Sequence, residues 1–130
     1  MPLLRAMCVV VVEDDALLAM DLSTTLCDHG YRLVGPFASI APAIDAVKHA
    51  KPDAAVLDMD LNGVMSVPVA DALASANVPF LWMSGSPAGI LPVHHRVRPF
   101  LPKPVAPSVF LTAVTRLFNN FYMMRNLGLA

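Results

Sequence analysis

The sequence contains little cysteine and little charge, and each shortage excludes a class of protein. Its two cysteines, Cys8 and Cys27, lie far apart in apolar runs, which excludes a disulfide framework or a cysteine-based zinc site. Only 15% of the residues are charged and the net charge is −1, so nothing favours binding to nucleic acid or to an anionic membrane. We interpret both cysteines as small buried hydrophobic residues of a reducing compartment, and we predict a cytoplasmic protein.

The sequence also lacks a long uninterrupted hydrophobic run. Residues 6–12 follow Arg5, as in a signal sequence, but the acidic residues 13–15 end that run too early. The longest uncharged stretch, residues 72–93, is broken by Pro79, Pro87 and Pro92. Neither stretch predicts a membrane helix, so we expect a soluble protein with no membrane partner.

What the sequence does contain is hydrophobic residues, 56% of its 130 residues, which is enough for one domain (residues 1–130) with a single core. Short apolar runs alternate with segments of helical periodicity. Asp15, Ser39 and Ser66 are predicted to cap the helices that follow them, and Phe121 is predicted to lie on the inward stripe of the last helix. The predicted strands are residues 7–12, 31–34 (closed by Gly35-Pro36), 54–57, 80–83 and 99–102. This alternation predicts a doubly wound α/β fold, with a five-stranded parallel sheet in the flavodoxin-like order 2-1-3-4-5.

Two segments depart from regular alternation. Pro87, Gly89 and Pro92 interrupt the stretch between the fourth and fifth strands, so its helix is predicted to be short or absent, with fast amide exchange over residues 85–97. The apolar extension, residues 119–130, is compatible with a longer last helix that completes the core or covers a groove, or with self-association as a homodimer.

Polar residues follow four of the predicted strands. They are Glu13 and Asp14 after the first strand, Asp58 after the third, Ser84 after the fourth and Lys103 after the fifth. In a doubly wound sheet these strand ends face one crevice. Three carboxylates in one place repel one another, and Mg²⁺ relieves that repulsion. A hydroxyl and an ammonium group would complete a phosphoryl-transfer site in which Asp58 attacks phosphorus.

The four motifs at these strand ends resemble those of receiver domains of two-component response regulators. The similarity covers residues of about 7–118. The motifs are the acidic sequence VVEDD at residues 11–15, the phosphoacceptor sequence VLDMDLNG at 56–63, Ser84-Gly85, and Phe100-x-x-Lys103-Pro104. The order and placement of all four make the resemblance specific, whereas each motif alone is weak.

The resemblance implies a role for each residue of the metal site. Asp58 would accept a phosphoryl group from a histidine kinase or a phosphotransfer protein. Asp14 and Asp58 would bind Mg²⁺ directly, Glu13 would bind through water, and the backbone carbonyl of Asp60 would be a further ligand. The protein would then be a phosphorelay switch rather than an enzyme, with self-phosphorylation as its only reaction.

The resemblance also implies a switch around the phosphate. Ser84 and Lys103 would hold phosphoryl oxygens, Gly85 would leave room for them, and Phe100 would move inward with Ser84. The Lys103-Pro104 peptide would be cis. Leu17 and Met20, on the outer face of the first helix, would form a docking patch for the kinase. Scattered surface hydrophobic residues without any function remain the alternative.

The sequence departs from the usual receiver pattern at several points. Asn62 replaces the common proline, and Met65-Ser66 replaces a second loop glycine. The short segment after Ser84 resembles that of stand-alone alphaproteobacterial receivers with a reduced fourth helix. Such a chain would act by binding an unknown downstream protein or by passing its phosphate on.

The sequence around Asp58 allows three alternative interpretations. An EF-hand loop starting at Asp58 requires a glutamate where Val69 stands, so it is rejected. A haloacid-dehalogenase-like phosphatase would use Asp58 as nucleophile and Asp60 as acid, but such enzymes carry this motif near the start of a longer chain. A degenerate receiver would act as a binding scaffold without phosphate.

The histidines at 94 and 95 are predicted to lie in a solvated loop. A metal site formed by two adjacent histidines lacks other ligands in the sequence nearby. Docking of an acidic partner surface on this basic stretch, which also includes Arg96 and Arg98, is the other interpretation.

Overall fold

Three strands form the centre of the sheet, and every residue in them is buried. They are β1 (Cys8–Val12), β3 (Ala54–Asp58) and β6 (Phe80–Ser84). The structure is a computed structural model that describes residues 6–128. Adjacent strands in this group pair in parallel. Strands covered on both faces need side chains that are apolar throughout, which is why these runs do not alternate with polar residues.

Two shorter or less buried strands complete the sheet. β2 (Arg32–Phe37) pairs with β1 at one edge, and β7 (Phe100–Pro102) pairs with β6 at the other. All pairings are parallel and the order is β2-β1-β3-β6-β7. Since β4 (Asp60–Leu61) and β5 (Val64–Met65) form a separate ribbon outside this sheet, the order is the predicted flavodoxin-like 2-1-3-4-5, and the α/β fold class is confirmed.

The predicted end of β2 was wrong. The strand does not stop before Gly35-Pro36 but continues to Phe37, with a cis peptide at Gly35-Pro36 and a shift in register between Val10 and Val12. Gly35 has a φ of 101°, and a Cβ there would lie 2.9 Å from the carbonyl oxygen of Val11. Only glycine fits this close approach, so the dipeptide forms an irregularity within an edge strand.

Four α-helices cover the two faces of the sheet. They are α1 (Ala16–Asp28), α2 (Ile40–Ala50), α3 (Val67–Ser75) and α4 (Pro107–Asn126). Asp15 caps α1 as predicted, because its Oδ1 accepts from the N–H groups of Leu17 and Leu18. Ser39 and Ser66 precede α2 and α3, but neither side chain makes the predicted capping hydrogen bond.

The sheet separates two hydrophobic clusters. One joins α2 and α3 to the face formed by residues such as Val10, Leu57 and Trp82. The other joins α1 and α4, and it includes Leu22 and Phe110. Helix α4 continues to Asn126, so the apolar extension is helical over that length. Phe121, predicted to face inward, lies outside the described side chains. Among the described residues, no helix is both long and apolar enough to span a membrane.

The described residues form no α-helix between β6 and β7, which confirms the prediction of a short or absent helix there. Between β6 and β7 the fully described stretch contains two short 3-10 turns, Ala88–Ile90 and Val93–His95. The prediction that His95 lies in a solvated loop was wrong: its side chain is 1% exposed and packs edge-on against the rings of Phe80 and Trp82. Here aromatic packing replaces the helix–sheet contacts that the prolines prevent.

The loop after β3 contains a small antiparallel ribbon. Its strands are β4 (Asp60–Leu61) and β5 (Val64–Met65). The turn residues Asn62 and Gly63 have φ angles of 53° and 85°. An Asn-Gly pair between two strands is the sequence signal of such a turn.

Candidate functional site

Asp58 ends β3 with its side chain almost completely buried, and several groups fix its position. Its Oδ1 accepts from the N–H of Asp60 at 3.2 Å. Its backbone carbonyl accepts a hydrogen bond from the hydroxyl of Ser66, at the start of α3. Ser66 is itself fully buried, so this bond ties the end of β3 to the next helix. The carboxyl group is therefore held at the strand end by both neighbouring segments.

Lys103, just after β7, connects two carboxylates at other strand ends. Its Nζ lies 2.7 Å from Oε1 of Glu13 and 3.1 Å from Oδ2 of Asp58. Its N–H donates to the carbonyl of Ser84 at 2.8 Å, and the Lys103-Pro104 peptide is cis. The ammonium group therefore spans β1, β3 and β7 within one pocket, and it offsets the repulsion between the two acids.

Glu13, Asp14 and Asp58 form a compact acidic cluster. Each provides a carboxylate oxygen, and these oxygens lie within 4.8 Å of one another. The other oxygen of Glu13 accepts from the N–H of Asp15 at 3.0 Å, and Oδ2 of Asp14 accepts from Asn62 at 2.8 Å. Several hard oxygen donors at this spacing fit a divalent cation such as Mg²⁺. The donor set is thus suitable for the implied metal.

The electrostatics of the pocket follow from this crowding. Burial raises the pKa of Asp58 to about 7, and the adjacent Glu13 adds to the effect. For Lys103, burial works against the charged form, but contacts with Glu13 and Asp58 outweigh it and raise the pKa. Burial also opposes ionisation of Asp14, yet hydrogen bonds, chiefly from Asn62, lower its pKa overall. Without a bound cation, the carboxyl group of Asp58 is thus partly protonated near neutral pH.

Ser84 and Gly85 adjoin the acidic cluster at the end of β6. Asp58 pairs with Met83 across the β3–β6 ladder, so Ser84 comes one residue beyond it. The Ser84 hydroxyl is buried and accepts from the N–H of Ser86 at 2.9 Å. A Cβ added to Gly85 would meet no atom within 4 Å, so there is open space at the residue that follows Ser84. Phe100 is half-buried on β7 against the core.

Comparison with known proteins relates this arrangement to a family. No family model matches the chain. The solution structure of SdrG from Sphingomonas melonis Fr1 is 34% identical, covering 86% of this chain and 96% of that one, with a TM-score of 0.75. A response regulator receiver protein from Sinorhizobium medicae WSM419 is 27% identical over 90% of this chain and 98% of its own, with a TM-score of 0.78. This chain belongs to the response regulator receiver family.

A further relative shares only part of its length with this receiver. The transcriptional regulatory protein PdtaR of Mycobacterium tuberculosis is 30% identical over 70 residues, which are 54% of this chain and 34% of PdtaR. The chain thus spans about a third of the length of the curated relative it matches. The signal receiver domain of a modulated diguanylate cyclase from Desulfovibrio desulfuricans G20 is 26% identical over 92% of this chain and 98% of its own, with a TM-score of 0.77.

Not every residue singled out in the sequence lies in the pocket of this receiver. The carboxylate of Asp60 is exposed and accepts from the N–H of Gly63 at 2.8 Å, so it caps the ribbon turn. Leu17 and Met20 project from α1 with exposed fractions of 72% and 57%. Met20 borders a groove between α1 and the start of α4. Met20 also lines a cavity together with Glu13 and Asp14, so its surface adjoins the acidic pocket.

Two supporting residues were missed by sequence reasoning. Ser66 was interpreted only as a helix cap, and nothing local in the sequence shows that its hydroxyl reaches back to Asp58. Asn62 was noted only as an unusual replacement for proline, yet its N–H holds Asp14. The Asn-Gly turn signal would have placed this N–H near the strand ends, because a tight ribbon folds back over them.

Proposed function

We propose that this receiver accepts a phosphoryl group on Asp58 from a phosphohistidine of a histidine kinase or a phosphotransfer protein. The observation that carries the proposal is the placement of the Lys103 ammonium between Asp58 and Glu13, with Asp14 in the same cluster. Four charged groups from three strand ends would have no structural reason to share a buried pocket, because their desolvation is costly. In phosphoryl transfer, each of these four charged groups would have a chemical role.

The chemistry assigns a step to each side chain. An oxygen of Asp58 forms a bond to phosphorus while the P–N bond to the donor imidazole breaks, and the imidazole leaves as a neutral group after taking a proton from solvent. Lys103 neutralises a phosphoryl oxygen, and Ser84 donates its hydroxyl proton to another. Gly85 leaves space for the group, and Phe100, which pairs with Trp82 two residues before Ser84 on β6, moves inward with Ser84.

The metal ligands in this proposal are Asp14 and Asp58, with Glu13 through water and the carbonyl of Asp60. Bound Mg²⁺ would supply positive charge to the phosphoryl oxygens. In the chain itself, burial and Glu13 raise the pKa of Asp58, while the hydrogen bonds from Asp60 and Lys103 favour its ionised form. Asn62 orients Asp14 as a metal ligand through its N–H. In this proposal the chain itself takes up the phosphoryl group and later loses it, so it is not a turnover enzyme.

The direct test is incubation with acetyl phosphate and Mg²⁺, followed by phosphate-affinity gel electrophoresis. Wild type should accumulate one acid-stable, base-labile acyl phosphate, and Asp58→Asn should not. Asp60→Asn is the matched control, because its carboxylate is exposed beside the same strand end, and it should still be labelled. Equal labelling of Asp58→Asn would refute the site. Absence of labelling in wild type would favour a binding scaffold, and turnover of a phosphate ester would favour a phosphatase.

The donor is proposed to dock on the surface formed by Leu17 and Met20. Both are exposed and apolar, and Met20 borders the groove between α1 and α4. A cytoplasmic location suits a donor charged from ATP. Replacing Met20 by Asp should slow phosphotransfer from a phosphorylated histidine domain but leave acetyl phosphate labelling unchanged. Equal slowing of both reactions would show that the substitution disturbs the pocket instead.

A further inference from the structure

A second cluster of metal-ligating side chains lies outside the acidic pocket. Asp71 projects from α3, and His94 and His95 follow on the second 3-10 turn. Oδ1 of Asp71 lies 2.8 Å from Nε2 of His95 and 3.6 Å from Nε2 of His94. The three possible ligand atoms lie within 4.8 Å of one another. Two adjacent histidines thus acquire a third ligand from a helix that lies more than twenty residues earlier in the sequence.

We propose that Asp71, His94 and His95 form a binding site for Zn²⁺. Two imidazoles and one carboxylate are donors that zinc prefers, whereas Mg²⁺ and Ca²⁺ prefer oxygen alone. Tetrahedral zinc with bonds of about 2.0–2.1 Å separates its ligand atoms by roughly 3.3 Å. The distances from Oδ1 of Asp71 to the two imidazole nitrogens, 2.8 and 3.6 Å, lie on either side of that value. Small rotations of the exposed Asp71 and His94 would therefore suffice, and a fourth position stays open to water.

His95 provides the fixed part of this site. Its ring is buried against Phe80 and Trp82, and its backbone carbonyl accepts from Nε1 of Trp82 at 3.2 Å. A ligand held in this way loses little conformational freedom when a metal binds. The site is independent of the proposed phosphoryl transfer, because none of its residues contributes to the acidic pocket.

The affinity is limited by one feature of His95. When Nε2 binds a metal, the remaining ring proton must lie on Nδ1, which is buried without a hydrogen-bond partner among the described residues. Metal-bound histidines usually donate this proton to an acceptor, and loss of that partner weakens binding about 10–100-fold. We therefore expect a moderate affinity for zinc, well below that of a structural zinc finger.

Zinc bound here would connect α3 to the segment that replaces the fourth helix. It would therefore reduce local opening of residues 88–97 without changing the fold. Free zinc at about 100 times Kd should shift the unfolding equilibrium roughly 100-fold towards the native state. The metal would thus stiffen the stretch that follows Ser84.

The test is a calorimetric zinc titration of the full chain without a histidine tag, in excess Mg²⁺ to occupy the acidic pocket. Wild type should bind one zinc ion, and His94→Ala should weaken binding at least about tenfold. His49→Ala is the matched control, since His49 also contacts an aspartate, Asp45 at 3.2 Å, but no second histidine is paired with it. That variant should bind zinc as wild type does. Thermal unfolding of His94→Ala without zinc should confirm that it folds.

Asp71→Asn provides a second variant, and hydrogen exchange provides a second measurement. Zinc should slow amide exchange over residues 88–97 in wild type and in His49→Ala, but not in His94→Ala or Asp71→Asn. Equal zinc affinity in wild type and His94→Ala would overturn the proposal. So would the absence of saturable binding in wild type up to about 100 µM free zinc.

Discussion

The indole Nε1 of Trp82 donates a hydrogen bond to the backbone carbonyl of His95 across 3.2 Å. Both side chains are almost completely buried, and the guanidinium of Arg98 lies 4.4 Å from the ring centroid of neighbouring Phe80. The segment between β6 and β7 has no α-helix to bury, so this contact anchors its second half to the sheet. Its first half is held by Leu91, which is 1% exposed and belongs to the hydrophobic cluster on this face of the sheet.

Trp82→Phe should loosen the segment from the sheet. The substitution removes the indole donor to the His95 carbonyl, which then keeps only the long 3.5 Å hydrogen bond from the N–H of Arg98, and it also reduces the packed volume. We expect a loss of about 2–4 kcal/mol in the free energy of unfolding, measured by urea denaturation. Amide exchange over residues 93–98 should accelerate more than exchange in β1. Val97→Ala, at a position that is 88% exposed, is the control and should change neither quantity.

The buried strands could be predicted because their signal is local. Runs such as residues 54–57 are apolar throughout, and an acid marks the end of β3 at Asp58. The burial of His95 could not be predicted, because a histidine next to a second histidine and an arginine is typical of a solvated loop. Its partner Asp71 is distant in the sequence, and neither residue signals the pairing alone.

The charged residues of the acidic pocket could likewise be predicted, whereas the residues that hold them in place could not. The residues that carry chemistry follow strands, so topology alone brings Glu13, Asp58 and Lys103 together. The role of Ser66 depends on where its hydroxyl points after the chain has turned, which no periodicity encodes. The extension of β2 through Gly35 likewise depends on a contact with the backbone of β1. Sequence patterns therefore predict which elements meet, but not the hydrogen bonds made at irregular positions.

Asp58 should make the stability of the protein depend on pH. Its pKa is about 7 in the folded chain and close to 3.8 when unfolded, so the folded state retains a proton that the unfolded state releases. Stability should fall as pH rises from about 4 to 7, and the loss is complete above that window. After allowance for solvent screening, Asp58→Asn should exceed wild type by about 1–2 kcal/mol at pH 8 and match it near pH 4.

Urea denaturation at a series of pH values, in the presence of a chelator, measures this difference. Asp28→Asn is the control, because Asp28 lies exposed at the end of α1, and its curve should run parallel to that of wild type. Added Mg²⁺ should stabilise wild type more than Asp58→Asn, since the cation favours the ionised carboxylate. A constant gap between wild type and Asp58→Asn at every pH would contradict the assigned protonation.

Ser66→Ala should destabilise the chain, although its side chain does not cap a helix. The substitution removes a fully buried hydroxyl donor and leaves the carbonyl of Asp58 without that partner. We expect a loss of about 1–3 kcal/mol in urea denaturation. Ser39→Ala is the matched control, because Ser39 precedes α2 and likewise makes no capping bond with its side chain. A similar loss in both variants would show that the hydrogen bond to Asp58 makes no particular contribution to the free energy of unfolding.

Gly85→Ala and Gly35→Ala should separate a functional role from a structural role for glycine. An alanine Cβ at position 85 meets no atom within 4 Å, and the φ there is outside the left-handed region, so stability should change by less than about 0.5 kcal/mol. At position 35 the φ is 101° and the Cβ would lie 2.9 Å from a backbone oxygen, so a loss of several kcal/mol, at least about 2, is expected.

Labelling by acetyl phosphate then measures the functional effect of the open space. If phosphoryl oxygens occupy the space beside Ser84, the added methyl group in Gly85→Ala should slow labelling or destabilise the phosphorylated form while the unphosphorylated chain stays fully folded. Gly35→Ala, examined at low temperature where it is folded, should be labelled like wild type because Gly35 lies in an edge strand. Unchanged labelling and phosphate lifetime in Gly85→Ala would mean that the phosphoryl group lies elsewhere in the pocket, closer to Asp14 than to Ser84.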